Sequence, residues 1–213
     1  MSRTRIVLVR HGQTEWNVSR RFQGQADVPM DAHGRAQAEA AAVELAGIGA
    51  TACYSSDLSR AMETAELVAG ASGIGVTPDD RLREVHVGDW TGLLLSEVAE
   101  RHPWYPESLR NRVDVRRSDT GETGTEAGER VASALRDYAD RHPGETVLVV
   151  GHGFASRVGL AFVLGMTYEQ SFSLGSLWNC SWTVLEHGRD WRLVHYNHVA
   201  DGHSGELPSV AVL

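Results

Sequence analysis

The chain has 213 residues, with 20 Lys plus Arg against 28 Asp plus Glu, a formal net charge of −8 and a pI near 5.7. That balance excludes nucleic acid or an anionic membrane surface as the main partner, while leaving room for a small anion held by a local group of arginines. The length suits one domain, residues 1–213, with ample material for a core, and there is no apolar run of the length that spans a bilayer and no signal-like apolar stretch at the N-terminus, so a cytoplasmic address is the expectation. All the basic side chains are arginine, so no arginine can be read as chosen over lysine.

In chain order, Arg5–Val9 is an Ile/Val-rich run that breaks sharply into Arg10-His11-Gly12, the pattern of a short buried strand with polar residues at its carboxyl end. Ligand sites of open α/β sheets gather at such ends. Gln13 to Met30 reads as a functional loop carrying Trp16, Asn17, Arg20, Arg21, Gln23, Gly24 and Gln25. Asp31 is a candidate cap for a helix from His33 to Ala46, closed by Gly47. Ala50–Tyr54 reads as a strand, and Ser55-Ser56-Asp57 as caps for a helix over Leu58–Ala69, with Arg60 in its first turn, where the helix dipole favours an anion.

Val76–Leu82 is a short edge segment interrupted by Pro78. The loop Arg83–Trp90 is polar and aromatic, and Thr91–Arg101 reads as a helix stopped at Pro103. Trp104–Thr123 shows no periodicity, so 94–123 is the candidate lid or insertion, and Arg110, Arg112, Arg116 and Arg117 within it are candidate substrate contacts. Glu126–Arg141 is a clear amphipathic helix with Val131, Ala134, Leu135 and Tyr138 inward. A second buried strand, Thr146–Val150, runs into Gly151-His152-Gly153, repeating the pattern at Arg10-His11-Gly12. An apolar helix over Phe154–Leu164 and a loop over Ser173–Asn179 follow. Cys180–Leu185 and Trp191–Tyr196 alternate as a hairpin that offers an edge for a homodimer, and the last fifteen or so residues read as loosely ordered. Cys53 and Cys180 lie in apolar, strand-like surroundings and read as reduced, buried thiols. Strands alternating with helices give an α/β class, with a mostly parallel sheet and an antiparallel edge.

Five stretches carry a resemblance: Leu8–Asn17 (LVRHGQTEWN), Gln23-Gly24 with Asp27 and Pro29, Ser55–Ala61 (SSDLSRA) with Thr64-Ala65, Arg83-Glu84 with Gly88–Gly92, and Gly151-His152-Gly153. Together, in this order, they resemble the histidine phosphatase superfamily, which includes the phosphoglycerate mutases. The resemblance implies a three-layer α/β/α sandwich and a phosphoryl transfer through a phosphohistidine. It implies His11 as nucleophile, Glu84 as the proton donor and later base, and His152 as a catalytic cation, best protonated beside a dianion. Arg10, Asn17, Gln23, Gly24, Arg60 and His86 follow as substrate-binding residues.

The chemistry makes sense of these residue types, because spreading charge from a transferring phosphoryl onto preplaced donors is the main task of such reactions. Arginine and histidine supply the positive charge, so neither metal nor cofactor is expected, and the partner is a small phosphate ester. The short connection after Glu84 looks like the phosphatase branch. The stretch Leu82–Leu93, with Asn179–Thr183 and Trp191–Leu193, is similar to actinobacterial glucosyl-3-phosphoglycerate phosphatases. Thr120-Gly121-Glu122-Thr123 departs from the Gly-Gly-Glu-Ser frequent in the superfamily, which puts substrate contacts from that loop in doubt. The alternatives are a broad-specificity acid phosphatase, a cofactor-dependent mutase and, last, a non-catalytic binding scaffold.

Overall fold

The computed structural model describes residues 3–201, so most of the segment expected to be loosely ordered, from 202 onward, lies outside the described residues. Six strands form one sheet: β1 (Thr4–Arg10), β2 (Ala50–Ser55), β3 (Val76–Pro78), β4 (Thr146–Gly151), β5 (Trp182–His187) and β6 (Trp191–His198). Their spatial order is β3-β2-β4-β1-β5-β6, parallel from β3 to β1 and antiparallel from β5 outward.

The unbroken apolar character of β1 and β4 has a direct cause. Ile6, Leu8, Val147 and Val149 face one core, while Val7, Val9, Leu148 and Val150 face another. Strands covered on both faces lose the polar alternation of half-exposed ones. The first core is closed by α6 (Gly124–Arg141) and α7 (Gly153–Val163), through Val131, Leu135, Phe154 and Val158. The second is closed by α2 (Ala32–Leu45) and α3 (Ser59–Gly70), through Ala38, Ala41, Ala65 and Val68. This is the expected three-layer α/β/α sandwich.

Asp31 caps α2 as its sequence position implies, accepting the Gly34 N–H at 2.7 Å. The expected Ser55-Ser56-Asp57 cap of α3 is largely replaced. Asp27, from the preceding loop, accepts the Ser59 N–H at 2.7 Å, while Asp57 pairs with Arg83. Ser56 makes only a 3.4 Å contact to the Leu58 N–H, because its hydroxyl is engaged elsewhere.

The long loop after β1 contains a single helical turn, α1 (Glu15–Val18), closed by a reciprocal Thr14–Asn17 capping box. The helix expected from Thr91 begins only at Leu95 (α4, Leu95–Arg101), because Gly88–Trp90 form a 3₁₀ turn before it. Within the aperiodic stretch, Trp104–Arg110 is helical (α5), and Pro103 occupies its N-cap position. A further turn, α8 (Tyr168–Ser171), precedes the final loop. Cys180, expected to open β5, instead sits in a left-handed turn with φ 52°, and its N–H reaches the Arg10 carbonyl at 3.1 Å. Burial pushes the thiols of Cys53 and Cys180 up to about 12, so neither ionises readily. Among the described residues no helix is long and apolar enough to cross a membrane.

Candidate active site

β1 and β4 are parallel neighbours with Arg10 opposite Gly151, so the two Gly-flanked histidines leave the sheet side by side at the same end. The rings of His11 and His152 lie 5.0 Å apart, inclined by 60°. Both residues are buried. The loop holding His11 is pressed against α2 so closely that a Cβ on Gly12 would come within 2.4 Å of the Gly34 carbonyl oxygen.

The ring nitrogens of His11 are differentiated by the backbone. Nδ1 lies 2.7 Å from the residue's adjacent Gly12 carbonyl, which can only accept, so Nδ1 carries the proton and Nε2 keeps its lone pair. Burial pushes His11 well below the usual imidazole range, and Arg60 and Arg10 add to the shift. A neutral ring with an unprotonated Nε2 is the form that can attack phosphorus.

His152 is tied through its other nitrogen. Nε2 is 2.8 Å from Ser56 Oγ, while Nδ1 is buried without a hydrogen-bond partner. Ser56 Oγ, already contacted by the Leu58 N–H at 3.4 Å, can donate its hydrogen to Nε2, and in that tautomer the ring proton sits on Nδ1. Burial again pushes the pKa well down, assisted by Arg60, His11 and Arg10. Without a ligand the surroundings therefore favour a neutral ring, the protonated form being expected only beside a bound dianion, and in the tautomer above its Nδ1–H is a donor in either state.

Arg60 is wholly buried near the start of α3. Its Nη1 and Nη2 donate to the carbonyls of Ala26 (2.7 Å) and Gly24 (2.9 Å), and Nε has no partner. Burial lowers its pKa to about 10. Arg10 donates to the Leu177 carbonyl, and its Nε is also buried and unpartnered. Burial lowers its pKa, while Glu84 opposes that shift. Two guanidiniums, Arg60 buried and Arg10 half-buried, hydrogen-bonded by carbonyls rather than carboxylates, leave a positive site, an arrangement that calls for an anion.

Glu84 closes the group from the side of α7. Oε2 accepts the Phe154 N–H at 3.0 Å, and Oε1 accepts those of Ala155 and Val85, each at 2.8 Å. The carboxyl thus rests on the free amides of the first turn of α7, for which His152 is the N-cap residue. Asn17 stands at the rim. Its Oδ1 accepts from the Thr14 N–H and from Asn179, which leaves its amide hydrogens as the group to offer a ligand.

The remaining expected residues lie one step away. Gln23 is buried with Oε1 unpartnered. Gly24 adopts φ +49° against Val87, and its carbonyl, rather than its N–H, is engaged, by Arg60. His86 faces the 118–122 loop, with Nδ1 3.1 Å from the Thr120 carbonyl and its N–H donating to Glu122. Among the four lid arginines, Arg116 pairs with Glu126, and Arg117 is buried over the Phe154 ring. Thr123 serves as the N-cap of α6. Sequence reasoning did not single out Ser56, which it read as a cap, nor Asn179, whose Nδ2 donates to the His11 carbonyl at 3.0 Å. It also passed over Arg157, whose signal was a lone charge inside an apolar helix.

The model of the histidine phosphatase superfamily (branch 1) matches residues 6–199. The chain belongs to that superfamily. A probable phosphoglycerate mutase of Serratia proteamaculans is 35% identical over 182 residues, covering 85% of this chain and 84% of the relative. A phosphoglycerate mutase-like protein of Arabidopsis thaliana is 41% identical over 151 residues, 70% of this chain and 66% of the relative. Among solved structures, mycobacterial glucosyl-3-phosphoglycerate phosphatase with VO3 superposes at TM-score 0.83 with 34% identity, covering 91% of this chain and 98% of that one. Sequence relatives of this histidine phosphatase family member thus carry mutase names, and structural relatives carry phosphatase names.

Proposed function

We propose that this superfamily member is a phosphomonoesterase acting through a phosphohistidine, without a metal. The observation that carries the reading is the pairing of an unprotonated His11 Nε2 with two arginines whose hydrogen bonds go to backbone carbonyls and not to carboxylates. In the first half-reaction Nε2 attacks phosphorus while the ester P–O bond breaks. The leaving alkoxide takes a proton from Glu84, and Arg10, Arg60 and the Nδ1–H of His152 hold the three equatorial oxygens. In the second, water gives its proton to Glu84 and attacks the phosphohistidine, releasing phosphate and restoring His11. The positive charge such a transfer needs comes from the guanidiniums.

The substrate reading is a small phosphorylated metabolite such as glucosyl-3-phosphoglycerate, supported by the similarity to the mycobacterial phosphatase; the 94–123 segment is proposed as its lid. A mutase is the second reading, favoured by the names of the sequence relatives. Phosphate release from an aryl phosphate, 3-phosphoglycerate and glucosyl-3-phosphoglycerate, with and without EDTA, tests the first. The expected result is turnover that EDTA leaves unchanged. Isomerisation of 3-phosphoglycerate that depends on a bisphosphate primer, with little phosphate released, would overturn it in favour of the mutase.

A further inference from the structure

Three consecutive leucines, Leu93-Leu94-Leu95, lead into the short helix α4, and the core accounts for only part of them. Leu93 and Leu95 pack against the core under α6 and α7, whereas Leu94 belongs to neither core. Leu94 and Leu95, with Ala99 of α4, Leu109 of α5 and Phe172, wall an open cavity of about 800 Å³. Each of these side chains is only partly buried, so the cavity holds apolar surface against water. Size and lining are those of a small-molecule site.

The polar groups of the cavity are few and lie at its exposed edge. Ser19 and Ser96 supply hydroxyls, Arg20 and Arg110 supply guanidiniums, and none of the described lining residues is acidic. The edge is built firmly. The Leu95 N–H reaches the Arg20 carbonyl at 3.4 Å and Arg21 bridges to Leu94, so the loop after α1 and the start of α4 form one wall. Arg20 itself is held at φ 56°, a left-handed conformation that disfavours any residue but glycine.

The walls run on into the phosphate site. Ser19 stands two residues after Asn17, at the end of α1. Phe172 opens the stretch that ends at Asn179, whose Nδ2 lies 3.3 Å from Asn17 Oδ1 and donates to the His11 carbonyl. The Phe172 ring is also 5.0 Å from the Arg157 guanidinium carbon, and Arg157 borders a small cavity together with Arg10 and Glu84. The opposite wall, α4 and α5, belongs to the proposed lid.

We propose that this cavity holds the alcohol part of a further class of substrate, phosphate monoesters of a long aliphatic alcohol, with phosphorus at His11. The inference rests on the phosphatase reading and adds an activity to it. The bonds made and broken are those already described: ester and water give inorganic phosphate and the free alcohol. An alkyl chain gains by leaving water against such walls, and two guanidiniums at the opening favour an anionic amphiphile.

The test is phosphate release from ethyl, butyl, hexyl and octyl phosphate, all kept below their micelle-forming concentrations. In the parent protein kcat/KM should rise about threefold for each added methylene, through KM rather than kcat. Ala99→Trp, which fills the cavity, and Leu109→Asn, which makes its wall polar, should each cut the octyl-to-ethyl ratio by about tenfold or more. That ratio is read within each variant, so a partly unfolded preparation does not alter it. A flat or falling series in the parent would overturn the proposal, as would a rising series that survives both substitutions. If the parent hydrolyses none of the four esters, the phosphatase reading falls instead. Calorimetric titration of the same esters then decides the cavity: affinity that climbs with chain length in the parent and not in Ala99→Trp upholds it, and affinity independent of length removes it.

Discussion

His11 and His152 end adjacent parallel strands, each between glycines or beside one, each pushed toward neutrality first by burial and then by the same two arginines. They differ in which nitrogen the protein holds. A backbone carbonyl takes the Nδ1 proton of His11 and frees Nε2, whereas a serine hydroxyl takes the Nε2 lone pair of His152 and leaves a proton on Nδ1. One ring is thereby an electron-pair donor and the other a hydrogen-bond donor, at a separation of 5.0 Å. Residue type and strand position do not assign these roles. A single hydrogen bond on the far side of each ring does, in the way that an orienting partner fixes an imidazole elsewhere.

Replacing the two rings in turn breaks the comparison most directly. His11→Ala should reduce turnover of an aryl phosphate by about 10⁴-fold or more, since no other group can form the covalent intermediate. His152→Ala should cost about 10²–10³-fold, the usual effect of deleting one donor to a developing charge. Steady-state kinetics with alkaline-quench trapping of phosphohistidine, whose N–P bond survives base, measures both. A His152→Ala protein as dead as His11→Ala, or trapped phosphate persisting in His11→Ala, would reverse the assignment.

Ser56 sharpens it. Ser56→Ala removes the acceptor-side restraint on His152 and should lower kcat about tenfold with KM nearly unchanged, the scale of one net hydrogen bond. Ser56→Thr, which keeps the hydroxyl, should restore most of the rate. A loss that threonine does not rescue would point to packing instead.

The smallest effect concerns stability. Both imidazoles resist protonation when folded but take up protons near 6.5 when unfolded, so below that pH the unfolded chain binds more protons. Their contribution is complete above about 6.5 and is lost as pH falls. Asp79, held down to about 2 by its Arg81 and Tyr138 hydrogen bonds against the opposing effect of burial, adds stability that is complete above its ordinary value of 3.8 and is lost only as pH falls toward 2, so it does not alter this window. Melting temperature should therefore drop by a few degrees between about pH 7 and about pH 5, and less so in His152→Ala. A melting temperature flat across that window would contradict the shifts. Saturating inorganic phosphate should flatten the parent curve too, because an anion raises both pKa values.

Much of this was legible in the sequence where one residue type has one physical use. The twin apolar runs ending in His11 and His152 gave the central strands, because strands covered on both faces need such runs. The helix capped by Asp31 and the amphipathic helix over Glu126–Arg141 were visible from their own local patterns, although the Thr123 cap of the latter was not. The misses share a cause, which is that partners came from far along the chain. Ser55-Ser56-Asp57 looks like a local cap, but Asp27 does that work and frees Ser56 for His152, almost a hundred positions away. Cys180 fits an alternating strand pattern, yet its N–H is claimed by Arg10, so it turns instead. Arg157 reads as an ordinary helix residue until Phe172 and Leu177 are folded around it.

The register of β1 against β4 has a consequence for how the molecule comes into being. Residues 4–10 must wait for residues 146–151 before the central pair of the sheet can form, and closing so long a loop is a late, entropically costly event. His11, the proposed nucleophile, leaves the ribosome first and His152 leaves it much later. A nascent chain that has not yet exposed Gly151-His152-Gly153 has half of the proposed site and is expected to be inactive. Activity regained on refolding is therefore a readout of this long-range strand pairing, not of helix formation, which can run ahead of it.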